Sequence, residues 1–106
     1  MLDDKWSNRE KAVARKAFDM ALQAELAAIV SDFKTRASAT TTSDELWAIE
    51  KFLTQKRKEI DQEYDYRYSQ LIWVFGRLLR EGRITEEQLY GLAEEKLAKI
   101  RQVASF

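Results

Sequence analysis

The chain has 106 residues, no cysteine and no histidine, and its 18 Lys and Arg residues balance 18 Asp and Glu residues. This length fits one domain, and the missing residue types exclude disulfides, thiolate chemistry and the commonest acid–base and metal-ligating side chain. A net charge of zero excludes a global field that would draw the chain to nucleic acid or to an acidic membrane.

The composition predicts an all-α fold. Proline is absent and glycine occurs only 3 times, whereas a β-rich chain needs many tight turns that favour Gly and Pro. Good helix formers such as Ala, Leu, Glu and Lys dominate instead. No apolar run approaches the roughly 18 residues that cross a bilayer, and residues 1–6 lack the basic and apolar segments of a secretory signal. We therefore expect a cytoplasmic protein without membrane insertion.

The first helix is predicted to run from Ser7 to about Arg36. Ser7 and Glu10 have the spacing of a capping box, in which each residue satisfies a backbone N–H of the other. Apolar residues then recur at helical intervals and form one stripe: Phe18, Leu22, Leu26, Ile29 and Phe33. The small hydroxyl residues of 37–43 compete for backbone hydrogen bonds, which predicts a loop.

The second helix is predicted to be long, from Asp44 to about Glu81, with Gly82 as its C-cap. Thr42 and Glu45 form a second capping box before it. Its apolar stripe continues along the whole span: Leu46, Ile49, Leu53, Ile60, Tyr64, Leu71, Phe75 and Leu78. Such a helix would be about 57 Å long, so we expect it either to bend or to belong to an elongated molecule whose stripe a second copy covers.

The end of the chain is predicted to form a compact head over residues 82–106. Thr85 and Gln88 make a third capping box before a short helix at 86–90, and a fourth helix begins near Ala93. We expect this head to fold back on the end of helix two around Trp73. The whole chain is then one domain, with the two stem helices in 1–81.

Five consecutive residues, Tyr64 to Tyr68, include three tyrosines. Within a helix, Tyr64 and Tyr68 share a face and pack inward, whereas Tyr66 points elsewhere. These rings either pack against one another where the stem meets the head or form part of a partner-binding surface.

The charged residues of helix two predict neither catalysis nor metal binding. Carboxylates pair at Asp61/Asp65 and Glu59/Glu63, but a di-iron bundle also needs histidines. The chain has no phosphate-binding loop and no nucleophile–base arrangement. The basic triplet 56–58 could contact phosphates, but acidic residues follow it directly. We therefore predict a non-enzymatic protein with no catalytic, metal or cofactor site and no nucleic-acid partner.

Trp47 follows the stripe residue Leu46, but its neighbours three and four positions on, Glu50 and Lys51, are charged. Tryptophan and arginine are enriched in interaction hot spots, and Arg57 lies further along the same helix. Trp47 therefore either belongs to a partner-binding surface, or fills the dimer seam or lies against helix one.

Three stretches of helix two, residues 46–53, 56–61 and 64–68, resemble the cyanobacterial fluorescence recovery protein family. The similarity continues through Gly82, residues 85–89 and residues 95–100, so it covers about the last 60 residues. The Arg-Lys-Glu-Ile-Asp run and the Tyr-Asp-Tyr-Arg run are its specific part. Helix one matches in pattern and length.

The resemblance implies an all-helical, elongated homodimer that binds the light-activated orange carotenoid protein. The family speeds the return of that protein to its resting orange form and so ends quenching of the phycobilisome antenna. Neither chemistry nor a cofactor is implied, and thylakoid association would come through the partner.

The resemblance also implies site residues. The family pairs a tryptophan with an acidic residue four positions on and an arginine ten positions on; Trp47 and Arg57 match, but Lys51 reverses the acidic charge. Glu50 stands beside it, where a non-acidic residue is expected. A second surface falls on Trp73 and Lys99. The dimer seam is assigned to four residues of helix two: Leu46, Ile49, Leu53 and Ile60.

Two interpretations stay open at this point. The chain either regulates the orange carotenoid protein or a related carotenoid-binding protein, or it is a dimeric helical adaptor of the same fold with another protein partner. Lys51 would then mark a divergent branch. Two further questions stay open: whether the chain forms a dimer or a higher oligomer, and whether the polar stretch 54–59 is a contact zone or a solvated part of the stem.

Overall fold

The computed structural model describes residues 5–106, and these residues confirm the all-helical prediction. They contain no strand. Their elements, in chain order, are α1 (Asn8–Ala39), α2 (Ser43–Glu63), α3 (Leu71–Arg80), a 3₁₀ helix (Glu86–Leu89) and α4 (Glu94–Ala104). Residues 1–4, which belong to the segment in which no secretory signal is predicted, lie outside the described residues.

The predicted capping boxes at Ser7 and Thr85 form, and at the third predicted position Thr42 and Glu45 bond to each other through the hydroxyl group. The Ser7 N–H donates to Glu10 Oε1 at 2.9 Å, and the Glu10 N–H donates to Ser7 Oγ at 3.1 Å. At the start of α2, the Glu45 N–H donates to the Thr42 hydroxyl at 3.2 Å, and the carboxylate accepts that hydroxyl at 2.9 Å. Thr85 exchanges both of its hydrogen bonds with Gln88 before the 3₁₀ helix.

The prediction of one continuous helix from 44 to 81 is wrong, because α2 ends at Glu63 and α3 begins only at Leu71. Between them the chain leaves helical geometry at Tyr64 and turns at residues 68–70. The apolar periodicity continues across this break, so periodicity alone cannot detect it. Aromatic residues are common in non-helical backbone, and the packing of this segment decides its conformation.

The tyrosines of this break pack in a way that a helix would forbid. The rings of Tyr64 and Tyr66 both meet Phe18 edge to face, with centroids 5.4 Å and 4.8 Å away. Residues two apart point in nearly opposite directions on a helix, so a helical segment could not place both rings on one phenyl group. The prediction that Tyr66 points away from Tyr64 is therefore wrong: Tyr66 joins Tyr64 at the core, and the ring of Tyr68 lies 5.7 Å from that of Tyr66.

The chain divides into two compact units, which we call the terminal unit and the central unit. The terminal unit combines the described residues up to Leu22 with Tyr64–Phe106, and the central unit is Gln23–Glu63. The predicted head, residues 82–106, is therefore only part of the terminal unit, which also takes α3 and the first half of α1. The core of the terminal unit is made by both ends of the chain, and its largest fully buried side chains are Phe75, Leu71, Leu78, Leu89 and Ile100.

A close approach of α3 to α4 organises the terminal unit. A methyl group added to Gly76 would lie 2.3 Å from Val103 Cγ1 and 3.3 Å from the Ile100 carbonyl oxygen, so only glycine permits this crossing. Gly82 then ends α3 as predicted, with φ +74°. The Arg83 N–H donates to the Leu78 carbonyl oxygen at 2.9 Å, which closes the helix end.

A buried ion pair joins the beginning of α1 to α4. Lys96 Nζ lies 3.1 Å from Glu10 Oε2, and both residues are buried, at 3% and 6% exposure. The Ala93 N–H also donates to Glu10, at 2.9 Å, and Lys96 donates to the Lys5 carbonyl oxygen at 2.6 Å. The ammonium group further lies 5.1 Å from the centre of the Trp6 ring. The charges are thus surrounded by partners in an otherwise apolar setting.

Candidate partner-binding surfaces

The first candidate surface lies on α2, and we call it the Trp47 face. Ile49 is buried at 8% exposure, whereas Trp47 is 60% exposed. Because successive residues turn about 100° around a helix, Glu50 and Lys51 share the side that carries Trp47. Arg57 lies about 80° to one side of Trp47 and three turns further along. All four predicted residues are exposed on one broad face.

Local contacts leave the charges of the Trp47 face in solvent. Arg57 Nε lies 4.0 Å from Asp61 Oδ2, with the two side chains 86% and 71% exposed. An exposed pair at this distance contributes little to stability, typically below about 1 kcal/mol. The guanidinium can therefore exchange this partner for a carboxylate on another protein at small cost. A face that carries both an exposed tryptophan and such an arginine has the composition of an interaction hot spot.

The predicted dimer-seam residues differ in exposure. Leu46 is 49% exposed and Ile49 is buried, while Leu53 and Ile60 are half-buried. Elsewhere in the central unit, the second half of α1 exposes an apolar stripe of three residues: Leu26, Val30 and Phe33, at 37%, 49% and 38%. Assignment of the seam to α2 stays a prediction, and these α1 residues extend the apolar surface that a second copy could cover.

The second candidate surface is a groove between α3 and α4 in the terminal unit, which we call the Trp73 groove. Its volume is about 410 Å³ and its lining residues come from both helices and their flanks: Ser69, Ile72, Trp73, Lys99, Gln102, Val103 and Phe106. Trp73 is 55% exposed and Phe106 is 73% exposed. The two residues predicted for this surface, Trp73 and Lys99, thus line the same groove.

The crossing at Gly76 explains why the groove forms. Trp73 lies one turn before Gly76 on α3, and Lys99 lies one turn before Val103 on α4. Gly76 and Val103 meet where the two helices cross, and Trp73 and Lys99 line the groove beside this crossing. Sequence reasoning missed Phe106, although the spacing of Lys99, Gln102 and Phe106 is the repeat of one helix face.

Neither surface has the features of a catalytic or metal centre. The described part of the chain contains no group of three or more acidic residues able to hold a metal ion. None of its helices is long and apolar enough to cross a membrane. Exposed tryptophans beside exposed cations indicate protein recognition instead.

Comparison with known proteins gives the family. Residues 6–104 match the sequence profile described as "photoprotection regulator fluorescence recovery protein". The fluorescence recovery protein of Synechocystis sp. PCC 6803 is 41% identical over 99 residues, which cover 93% of this chain and 91% of that protein. The chain belongs to the fluorescence recovery protein family. The resemblance seen in the sequence is thereby confirmed, and it extends through helix one.

Solved structures of fluorescence recovery proteins share the fold. The Fremyella diplosiphon protein superimposes with a TM-score of 0.91 at 36% identity, and the Synechocystis protein with 0.90 at 40%. Each comparison covers 96% of this chain and 100% of the other. The family is one of photoprotection regulators and not a known class of enzymes. This agrees with the exposed tryptophans of the Trp47 face and the Trp73 groove, which are typical of protein-binding surfaces.

Proposed function

We propose that this protein binds the light-activated orange carotenoid protein and accelerates its return from the red to the resting orange form, ending phycobilisome quenching. Membership in the fluorescence recovery protein family carries this proposal. The Trp47 face and the Trp73 groove are the proposed contacts. No cofactor takes part, and the site of action is the cytoplasm, with thylakoid association only through the partner.

The proposed mechanism is differential binding. A regulator accelerates the return to the resting form only if it binds the transition state of that conversion more tightly than it binds the active form. Holding separated parts of a partner close together removes much of the entropy lost when they meet. Two exposed tryptophans, one in each unit, supply large apolar contacts with few rotatable bonds, and Arg57 and Lys99 supply charge-assisted hydrogen bonds.

The proposed assembly is a homodimer, and the exposed apolar stripe of α1 supports it. Three large apolar side chains on one face of α1 are exposed, and so is Leu46 on α2; a second copy would cover them. Burial of apolar area contributes about 25 cal/mol per Å². A larger oligomer would use further surface beyond this stripe.

Lys51 favours a second candidate function, a dimeric helical adaptor of the same fold with another protein partner. The exposed ammonium stands where the family resemblance implies an acidic residue, and Glu50 beside it points about 100° away. If the carotenoid protein presents a cation to this position, the like charges repel, at a cost that can reach several kcal/mol. The divergent charge would then mark a changed partner.

The deciding experiment follows the visible absorbance of photoactivated orange carotenoid protein in the dark, with and without this protein. We expect a several-fold faster return from red to orange. Trp47→Ala should abolish most of the acceleration, and Ala48→Ser serves as the matched control at an exposed position of the same helix. An unchanged rate with folded protein would refute the proposal and favour the adaptor function.

Lys51→Asp separates the two candidates further. If the Trp47 face contacts a basic group of the carotenoid protein, removing the repulsion should lower the dissociation constant about tenfold or more, since tenfold corresponds to about 1.4 kcal/mol. Titration of each variant against the photoactivated carotenoid protein measures this change. No change, or weaker binding, would show that Lys51 does not face a cation there.

A further inference from the structure

Charge is distributed unevenly between the two units. Counted over the full sequence, the terminal unit carries twelve Lys and Arg against ten Asp and Glu, a net charge of +2, whereas the central unit carries six against eight, a net charge of −2. The net charge of zero for the whole chain is therefore the sum of a slightly basic and a slightly acidic unit. Sequence reasoning that used only the total missed this asymmetry.

Four of the cations of the terminal unit lie in the first turns of α1. These turns bury Glu10, Ala14, Ala17 and Phe18 in the terminal unit. The solvent-facing remainder of the same turns exposes the four cations: Arg9, Lys11, Arg15 and Lys16. We call these four residues the basic face. Asp19 pairs with Arg15 at 3.7 Å between exposed side chains, and the Glu10 carboxylate is buried against Lys96 and therefore does not neutralise the exposed cations.

Aromatic rings hold part of the basic face in place. The Arg15 guanidinium lies 4.0 Å from the centre of the Tyr66 ring, and Lys11 Nζ lies 5.3 Å from that of Tyr68. The Tyr66 hydroxyl also donates to the Lys11 carbonyl oxygen at 3.5 Å. An arginine stacked on a ring keeps its N–H edges available for a carboxylate. Because these side chains are ordered before contact, less entropy is lost when they bind.

We propose that the basic face docks on an acidic surface of the same protein partner and steers the encounter that brings the Trp47 face and the Trp73 groove into contact. This inference rests on the proposed function. A membrane is a poorer fit, because an interfacial helix must insert its apolar face, and the apolar side of these turns is buried. Fixed arginine–tyrosine pairs are instead the composition of protein hot spots.

Electrostatic steering raises the association rate constant and is lost as salt screens the charges. The test variant is Arg9→Gln/Lys11→Gln/Lys16→Gln, which keeps Arg15 on Tyr66. The matched control removes three exposed or half-exposed cations elsewhere, as Lys34→Gln/Lys56→Gln/Arg83→Gln. Both variants lose three positive charges, so a difference between them reports position and not net charge.

Stopped-flow association with photoactivated orange carotenoid protein would be measured at 20 mM and 200 mM NaCl. We expect the test variant to associate about tenfold more slowly than the wild type at low salt, with its dissociation rate within about twofold. At high salt the difference should vanish. The control variant should stay close to the wild type throughout.

Each alternative result has a distinct meaning. Binding of the carotenoid protein with equal rates for the test and control variants overturns the steering role and leaves the proposed function intact. Absence of any binding by the wild type overturns both. The wild type would also be tested for salt-dependent binding to vesicles of 30% phosphatidylglycerol in phosphatidylcholine and to a 20-base-pair duplex. If the test variant loses binding to one of these ligands but keeps its association rate with the carotenoid protein, the basic face is assigned to that ligand and the steering role is overturned.

Discussion

At the residue scale, Glu10 serves two purposes with one carboxylate. It closes the capping box with Ser7 and, in the same position, accepts from Lys96 and from the Ala93 N–H. Burial alone raises the pKa of a carboxyl group, but the hydrogen bonds from Ser7, Ala93 and Lys96 outweigh it and hold the pKa of Glu10 at about 2, against 4.5. The folded protein therefore favours the ionised form of Glu10.

Glu10→Gln should lower the free energy of unfolding by about 3 kcal/mol or more, because Lys96 would remain buried and charged without its carboxylate. Urea unfolding followed by circular dichroism measures this loss. Glu95→Gln, at an exposed position of α4, is the matched control and should change stability by less than about 0.5 kcal/mol. Equal stability of the two variants would show that the pair is not stabilising relative to a neutral amide.

The same carboxylate predicts a pH dependence. Because the pKa of Glu10 is lower in the folded state, its contribution to stability is complete above about pH 4.5 and is lost as the pH falls through about 2. Wild type should therefore lose stability more steeply than Glu10→Gln between these values. Unfolding measured at several pH values from 5 to 2 tests this, and parallel curves would contradict it.

At the scale of elements, Gly76 fixes the crossing of α3 and α4. Gly76→Ala should destabilise the protein by about 1–3 kcal/mol, because the new methyl group meets both Val103 and backbone. The Trp73 groove should widen, which a change in tryptophan emission would report. Ala98→Gly changes one methyl group at an exposed site of α4 and should cost about 1 kcal/mol without that spectral change. An unaltered emission in Gly76→Ala would contradict the proposed origin of the groove.

The elements also separate what the sequence can predict from what it cannot. Capping boxes at Ser7, Thr42 and Thr85 are local, so they locate helix starts correctly. The break after Glu63 is not local: it exists because Tyr64 and Tyr66 meet Phe18, more than 40 positions earlier. Glu10 and Lys96 are further apart still, at 86 positions in the chain. Positions at which long-range packing decides the conformation leave no periodic signal.

The candidate site follows the same division. Helical periodicity leaves Trp47 open between a partner-binding surface and a seam, and the family resemblance supplies Arg57; the structure shows that both side chains are exposed, while their role in binding stays a prediction. The Trp73 groove was available only through the family resemblance, because the crossing that creates it depends on Gly76 meeting Val103. The basic face was recognised only after the charges had been counted for each unit, because the net charge of the whole chain is zero.

At the scale of the whole molecule, the proposed homodimer gives a direct prediction. Leu46→Glu should shift the protein toward a monomer of 12.4 kDa, because a carboxylate would be buried in the seam at a large desolvation cost. Size-exclusion chromatography with light scattering at several concentrations measures the mass. Ala98→Glu adds the same charge at an exposed position of α4, away from the predicted seam, and should leave the mass unchanged. A mass unchanged in Leu46→Glu would exclude this residue from the seam.

The terminal unit has a consequence for biosynthesis. Its core combines residues before Leu22 with residues after Tyr64, while the whole central unit lies between them in the chain. During translation the central unit is finished first, and the terminal unit lacks Lys96 and Ile100 until those residues have been added. A ribosome that stops before Lys96 would therefore release a chain in which Glu10 is unpaired and the core lacks Ile100, a substrate for proteolytic quality control.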